Sequence, residues 1–291
     1  MTMLVWRSLL FVPANNEKHV AKAHTRGADG IILDLEDSVA LDQKAVARKG
    51  LSATVTALAD RSCDVLVRVN AGSLDDDINV ACVRSVLALV IPKVSDAKAV
   101  QQAAGLLDRY EAERDLKIGA IRLIAQIEDV HALQNLDAIA KASPRMLGMS
   151  LGSEDFSASA GMLPSNETLY GPNQQVVFAC RRAAILPFGF PASITLVREM
   201  EALIVAAEQA ANMGMVGAFC IHPDQVAVLN DALTPTADAV ANATALLQQY
   251  SAAKESGMAV FSFNGKMVDL PVVLQARTLV ARSHAIASKV N

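Results

Sequence analysis

Short apolar runs rich in Val, Ile and Leu alternate along this chain with longer Ala-rich stretches whose apolar positions recur at helical spacing. That pattern suits parallel strands buried on both faces, with the amphipathic stretches as connecting helices. Eight runs stand out: Ser8–Val12, Gly30–Leu35, Val65–Asn70, Val86–Pro92, Ile121–Ile127, Met146–Leu151, a weak one near Pro187–Phe190, and Gly217–Ile221. Helices are predicted over Asp42–Leu58, Asp96–Arg114, Val130–Lys141, Asn173–Ala184 and Leu196–Met213, with polar or acidic starts where caps belong. Eightfold alternation predicts an α/β fold, the (β/α)8 barrel, over an open doubly wound sheet. No glycine-rich phosphate fingerprint follows the first strand, which weakens a dinucleotide-binding reading.

Past the eighth run the texture changes. Two helical stretches, Pro223–Asp231 and Pro235–Ser256, lead into extended residues over Gly257–Asp269 with a turn at Asn264-Gly265, then a helix over Pro271–Ser288. The expectation is a barrel domain over 1–232 and a C-terminal helical extension and hairpin over 233–291. A lone hairpin is marginal in water, so this extension is expected to pack on the barrel or on a neighbouring subunit.

Composition narrows the function. The chain has 291 residues, 52% hydrophobic and only 19% charged, with a net charge of −4. A barrel of this kind takes about 250 residues, and a slightly acidic chain without clustered Lys and Arg is a poor partner for nucleic acid. No apolar run approaches the roughly 18 residues of a membrane span, and Arg7 interrupts the N-terminal apolar residues, so a cytoplasmic protein is expected. The four cysteines lack metal-site spacing.

Active sites of such barrels form where strands end, and there this sequence places charge: Asp34, Glu36 and Asp37, then Arg68 and Asn70, Lys93, Gln126 and Glu128, Glu154 and Asp155, and His222. Glu128 and Asp155 end successive strands, which lie about 4.8 Å apart, so both carboxylates can reach one cation. Two carboxylates with other positions left to water suit Mg2+ or Mn2+. The alternative is helix capping, which Asp129 and Glu154 serve better; spacing alone leaves both readings open. A guanidinium at a barrel mouth needs an anion. For Arg68 that is a substrate oxygen, a structural partner among Asp34, Glu36 and Asp37, or both. Glu36 and Asp37 are read as supporting residues that fix metal-bound water. His222, before the helix at Pro223, reads as a hydrogen-bonded structural histidine.

Several stretches together resemble the HpcH/HpaI aldolase and citrate lyase β-subunit superfamily, specifically its stand-alone citrate lyase β-like branch. They are Arg7-Ser8-Leu9-Leu10-Phe11-Val12-Pro13, Leu33-Asp34-Leu35-Glu36-Asp37-Ser38-Val39, Val67-Arg68-Val69-Asn70, Ile91-Pro92-Lys93, Gln126-Ile127-Glu128, Gly152-Ser153-Glu154-Asp155-Phe156, Cys220-Ile221-His222-Pro223-Asp224-Gln225 and Asn264-Gly265-Lys266-Met267-Val268-Asp269-Leu270-Pro271. The resemblance implies a (β/α)8 barrel in a homotrimer or hexamer, Mg2+ (Mn2+ as a substitute) on Glu128 and Asp155, Arg68 as substrate-binding and catalytic, and Glu128 as substrate-binding too. It further implies carbon–carbon cleavage, or the reverse condensation, of a 3-hydroxyacyl-CoA such as malyl-CoA or citramalyl-CoA. Asp269 matches an aspartate that such members contribute as proton donor to a neighbouring subunit's site. The rival readings are a citryl thioester lyase subunit working with an acyl-carrier partner, and a class II aldolase on free 2-keto acids. The chain departs from the family at Gly217-Ala218, where members often carry Gly-Lys. The segment Leu163–Pro172, unmatched, is expected to shape the substrate pocket.

Overall fold

Each of the eight apolar runs becomes a strand in the computed structural model, which describes residues 4–255 and 260–290. They are β1 (Ser8–Pro13), β2 (Gly30–Asp34), β3 (Val65–Arg68), β4 (Val86–Ile91), β5 (Arg122–Ile127), β6 (Met146–Leu151), β7 (Leu186–Phe188) and β8 (Ala218–Cys220). All pair in parallel in the order β7-β6-β5-β4-β3-β2-β1-β8. A single bridge, Phe188 to Gly217, closes the circle, helped by Gly189 N–H donating to Gly217 O and Val216 N–H to Pro187 O. The closure is thin where the sequence pattern is weakest, because Pro187 has no N–H to give a ladder. The result is a nearly closed (β/α)8 barrel.

Alternation along the strands divides the interior in two. Leu9, Ile32, Leu66, Ala88, Val90, Ile124, Phe188 and Phe219 belong to the core inside the barrel. Their neighbours Leu10, Ile31, Leu33, Val65, Val67, Leu89 and Leu123 belong to the larger core between strands and helices. A side-chain period of two forces this split. Gly148 makes it possible at β6: a Cβ there would stand 2.4 Å from Leu186 O and 2.7 Å from the Phe188 ring.

The connecting helices are α1 (Glu17–Ala23), α2 (Lys44–Ala59), α3 (Leu74–Ala81), α4 (Ala97–Glu113), α5 (Leu136–Ala140), α6 (Ser153–Ala160), α7 (Asn166–Arg182), α8 (Met200–Met213) and α9 (Pro223–Ala232). Two differ from the sequence expectation. The stretch predicted as one helix over Val130–Lys141 is a 3-10 helix, Val130–Asn135, followed by the single turn and a half of α5. The segment Leu163–Pro172, expected to shape the pocket, mostly forms the first turns of α7, and none of its residues lines the main cavity. Ser165 starts that helix with a capping box to Thr168, a signal obscured by Pro172 inside the helix.

The chain divides into two compact units. One is the barrel, Trp6–Leu233; the other takes in Met1–Val5 and Thr234–Asn291 where these are described. In the second, α10 (Ala237–Glu255) and α11 (Leu270–Val290) pack around Leu246, Val268, Val273 and Ala276. The hairpin β9 (Phe261–Phe263) and β10 (Lys266–Val268) turns at Asn264 and Gly265, both at positive φ, as an Asn-Gly turn requires. Part of the extended stretch predicted from Gly257 lies outside the described residues. Among the described residues no helix is long and apolar enough to cross a membrane.

Candidate active site

The alternation that fills the barrel also decides what crowns it. Two residues beyond Leu9, Ile32, Leu66 and Ile124, on the same inward faces, stand Phe11, Asp34, Arg68 and Gln126, and all four line a cavity of about 660 Å³ at the carboxyl ends of the strands. Glu128, Ser150, Asp155, Phe190, Phe219 and His222 line it too. The sequence therefore stacks a polar layer directly on an apolar plug.

Asp34 and Arg68 are partners in the β2–β3 register. Arg68 Nε and Nη2 each donate to Asp34 at 2.7 Å, and Nη1 lies 3.0 Å from Glu36 and 3.4 Å from Asp37. The guanidinium lies 4.5 Å from the centre of the Phe11 ring. Burial opposes the charge on both partners, yet their hydrogen bonds prevail: Asp34 is held below the usual carboxylate range and Arg68 above the usual guanidinium range. Asp34 also accepts from Glu36 N–H and from Ser38. All three structural partners suggested for Arg68 are thus in place. Of its five N–H groups, this leaves one on Nη2 for a ligand oxygen.

Glu36 is clamped: one oxygen faces Arg68, the other accepts from Lys93 Nζ at 3.0 Å. Burial and the neighbouring Asp37 nevertheless push its carboxyl up. Glu128 follows β5, is 5% exposed, and accepts from Lys93 N–H at 3.1 Å. Burial first, then the charges of Glu36 and Asp155, push its carboxyl up to about 8, against the pull of Arg68 and Lys93. Asp155 sits exposed in the first turn of α6, the helix that follows β6, the strand paired with β5.

Three carboxylates are thus crowded with too little positive charge, and the buried Gln126 Oε1 beside them has no hydrogen-bond partner. An all-oxygen, electron-rich, under-satisfied place of this kind fits a hard divalent cation. Among the described residues no group of three or more His, Cys, Asp or Glu side chains is placed to hold a metal. A cation here would rest on Glu128 and Asp155 and complete its shell from water and ligand oxygens.

The capping alternatives resolve unevenly. Asp129 does cap, accepting from His131 N–H at 2.8 Å. Glu154 does not: its carboxylate lines the cavity and accepts from Ser193 at 2.6 Å and Ser153 at 3.1 Å, and Gly152 holds the cap position of α6. His222 caps α9, its Nδ1 accepting from Asp224 N–H at 3.2 Å. Lys93 and Gln126 stood among the strand-end residues without a role; only the fold shows Lys93 bonded to Glu36 and Glu128 and Gln126 lining the same cavity as Glu128 and Asp155. Asp269 belongs to the second unit, where its side chain takes the Val272 N–H, 3.5 Å away, at the start of α11.

Comparison with known proteins agrees over most of the chain. A family model described as HpcH/HpaI aldolase/citrate lyase matches residues 7–223. The citrate lyase subunit beta of Leuconostoc mesenteroides subsp. cremoris is 30% identical over 286 residues, covering 96% of this chain and 93% of that protein. An L-malyl-CoA/β-methylmalyl-CoA lyase of Cereibacter sphaeroides is 30% identical over 309 residues, covering 97% and 96%. Among solved structures, CitE of Mycobacterium tuberculosis in complex with magnesium, acetoacetate and coenzyme A superposes with a TM-score of 0.75 at 27% identity, covering 98% of this chain and 100% of that one.

Proposed function

The chain belongs to the HpcH/HpaI aldolase/citrate lyase family, and from that premise we propose that it is a Mg2+-dependent carbon–carbon lyase acting on a 3-hydroxyacyl-CoA whose hydroxyl carbon also bears a carboxylate. Malyl-CoA and citramalyl-CoA are substrates of that description. The observation that carries this reading is the pairing of under-neutralised carboxylates with Arg68 on one cavity wall, its fork fixed by Asp34. Glu128 and Asp155 would hold the cation, which supplies Lewis-acid polarisation of the substrate's hydroxyl and carboxylate oxygens. Mn2+, with the same donor preference, is expected to substitute.

Arg68 stabilises the oxygen that turns from hydroxyl into carbonyl as the bond breaks. Asp34 fixes its fork, and Glu36 and Asp37 hold Nη1. As the C2–C3 bond breaks, the hydroxyl proton passes to water, the hydroxyl carbon leaves as a 2-oxo acid, and the electron pair stays on the thioester fragment as an enolate. Asp269 is proposed to protonate that enolate to acetyl-CoA, and in condensation to remove the same proton. The proposal includes that Asp269 serves the site of a neighbouring subunit in a trimer or hexamer, and that the enzyme is cytoplasmic, where its four free cysteines stay reduced.

The test is a panel of malyl-, citramalyl- and citryl-CoA with Mg2+, scored for released acetyl-CoA and 2-oxo acid. Turnover of at least one by the purified chain supports the reading; activity only on free 2-keto aldols, or only with an acyl-carrier protein, replaces it with one of its rivals. The citrate lyase subunit among the relatives keeps the citryl thioester in the panel. Asp269→Ala should retain Mn2+ binding and lose at least about 100-fold in turnover, and near wild-type cleavage by that variant would remove Asp269 from the mechanism.

A further inference from the structure

Lys93 is one of only five non-glycine residues with positive φ among those described, at +56°. It follows β4 and Pro92 immediately, on the strand between β3, which carries Arg68, and β5, which leads to Glu128. A left-handed backbone on a residue with a Cβ is disfavoured and persists where surrounding structure demands it. Here the demand is visible. The left-handed turn aims Lys93 N–H at Glu128 Oε2, 3.1 Å away, while Lys93 Nζ reaches Glu36 Oε1 at 3.0 Å. One residue thus holds two carboxylates that repel each other, through two chemically separate groups.

The other side of Glu128 is framed by an absence. A Cβ on Gly152 would lie 2.6 Å from Glu128 Cγ and 3.0 Å from Oε1. Lys93 N–H thus engages Oε2, and the missing side chain of Gly152 leaves the room in which Oε1 stands.

We propose that Lys93 is a positioning residue with divided duties: its left-handed N–H fixes the orientation of the Glu128 carboxylate, and its ammonium holds Glu36 on Arg68. This rests on Glu128 as a metal ligand. The division is what makes the idea testable, because substitutions can remove the ammonium with or without the backbone turn. Lys93→Gly removes the ammonium and keeps a residue at home in the left-handed region. Lys93→Val removes the ammonium and also disfavours the turn, since a β-branched residue at positive φ is strongly strained.

The experiment measures Mn2+ affinity directly by electron paramagnetic resonance on the full-length protein, beside the KM for the CoA thioester and the thermal midpoint. Lys93→Gly should bind Mn2+ within about 3-fold of wild type while KM rises about 10-fold, because Glu36 no longer braces Arg68 from its far side. Lys93→Val should bind Mn2+ at least about 10-fold more weakly than Lys93→Gly. Installing an aminoethyl group on Lys93→Cys, which restores an ammonium, should recover KM.

Equal Mn2+ affinities in the Gly and Val variants would overturn the backbone role, and an unchanged KM in Lys93→Gly would overturn the ammonium role. Should wild-type protein bind no Mn2+, or Glu128→Gln bind it undiminished, the metal assignment itself fails and this inference with it. That result is distinct from a failure at Lys93.

Discussion

Two buried glutamates at opposite ends of the barrel show how differently one side chain can be used. At the floor, Glu111 of α4 is fully buried, accepts N–H groups from Gly119 at 2.7 Å and Ile121 at 2.8 Å, and meets Arg145 at 2.5 Å. Arg145 itself is 3% exposed and also donates to Ile121 O and Asp108. At the mouth, Glu128 has one N–H and like-charged neighbours. Burial pushes both carboxyls up, but at the floor the hydrogen bond to Arg145 wins and Glu111 stays below the usual range, whereas Glu128 rises to about 8. A fully satisfied charge is structural; one left short of partners is waiting for a ligand.

The comparison predicts that variants at the two ends separate stability from function. Glu128→Ala should cost at least about 1000-fold in turnover together with Mn2+ binding, leaving the fold intact; retained metal-stimulated activity would break the contrast at once. Arg145→Ala should do the reverse. Stranding the buried Glu111 is expected to destabilise the protein by about 3–5 kcal/mol in chemical denaturation, with Mn2+ affinity unchanged in the molecules still folded.

The pH dependence sharpens the same contrast with opposite signs. The folded carboxyl of Glu128 titrates near 8, above its ordinary 4.5, so its stabilising contribution is complete below about 4.5 and is lost as pH rises through 8. Glu128→Gln, a mimic of the protonated form, should therefore raise the melting temperature of metal-free protein at pH 8, by about 2–4 kcal/mol in stability. Glu111, held low, contributes above 4.5 and its share is lost as pH falls through its depressed value. Wild-type Mg2+ affinity should tighten about tenfold per unit from pH 6 to 7 and level off above 8, since binding displaces one proton; a flat profile would mean Glu128 is not the group displaced. The smallest effect is expected at the mouth's rim. His222→Ala removes a helix cap and should cost only about 1 kcal/mol, without altering the pH profile.

The sequence by itself determined a great deal. Eight Val/Ile/Leu runs set the barrel because strands buried on both faces admit little else, and the period of two fixed that Asp34, Arg68 and Gln126 would stand one layer above Ile32, Leu66 and Ile124. Asn264-Gly265 fixed its hairpin because few other pairs tolerate two positive φ angles. Tertiary structure alone decided how the charges pair. That Arg68 meets Asp34, Glu36 and Asp37 together depends on the β2–β3 register and on Lys93, which reaches Glu36 from the end of the next strand. Lys93 gave no local sign of its left-handed turn, and Glu154 read as a cap because only the loop after β7 brings Ser193 to it. Periodicity is a local property and survives in one dimension; electrostatic partnership is a property of distances between strands, which exist only once the barrel has closed.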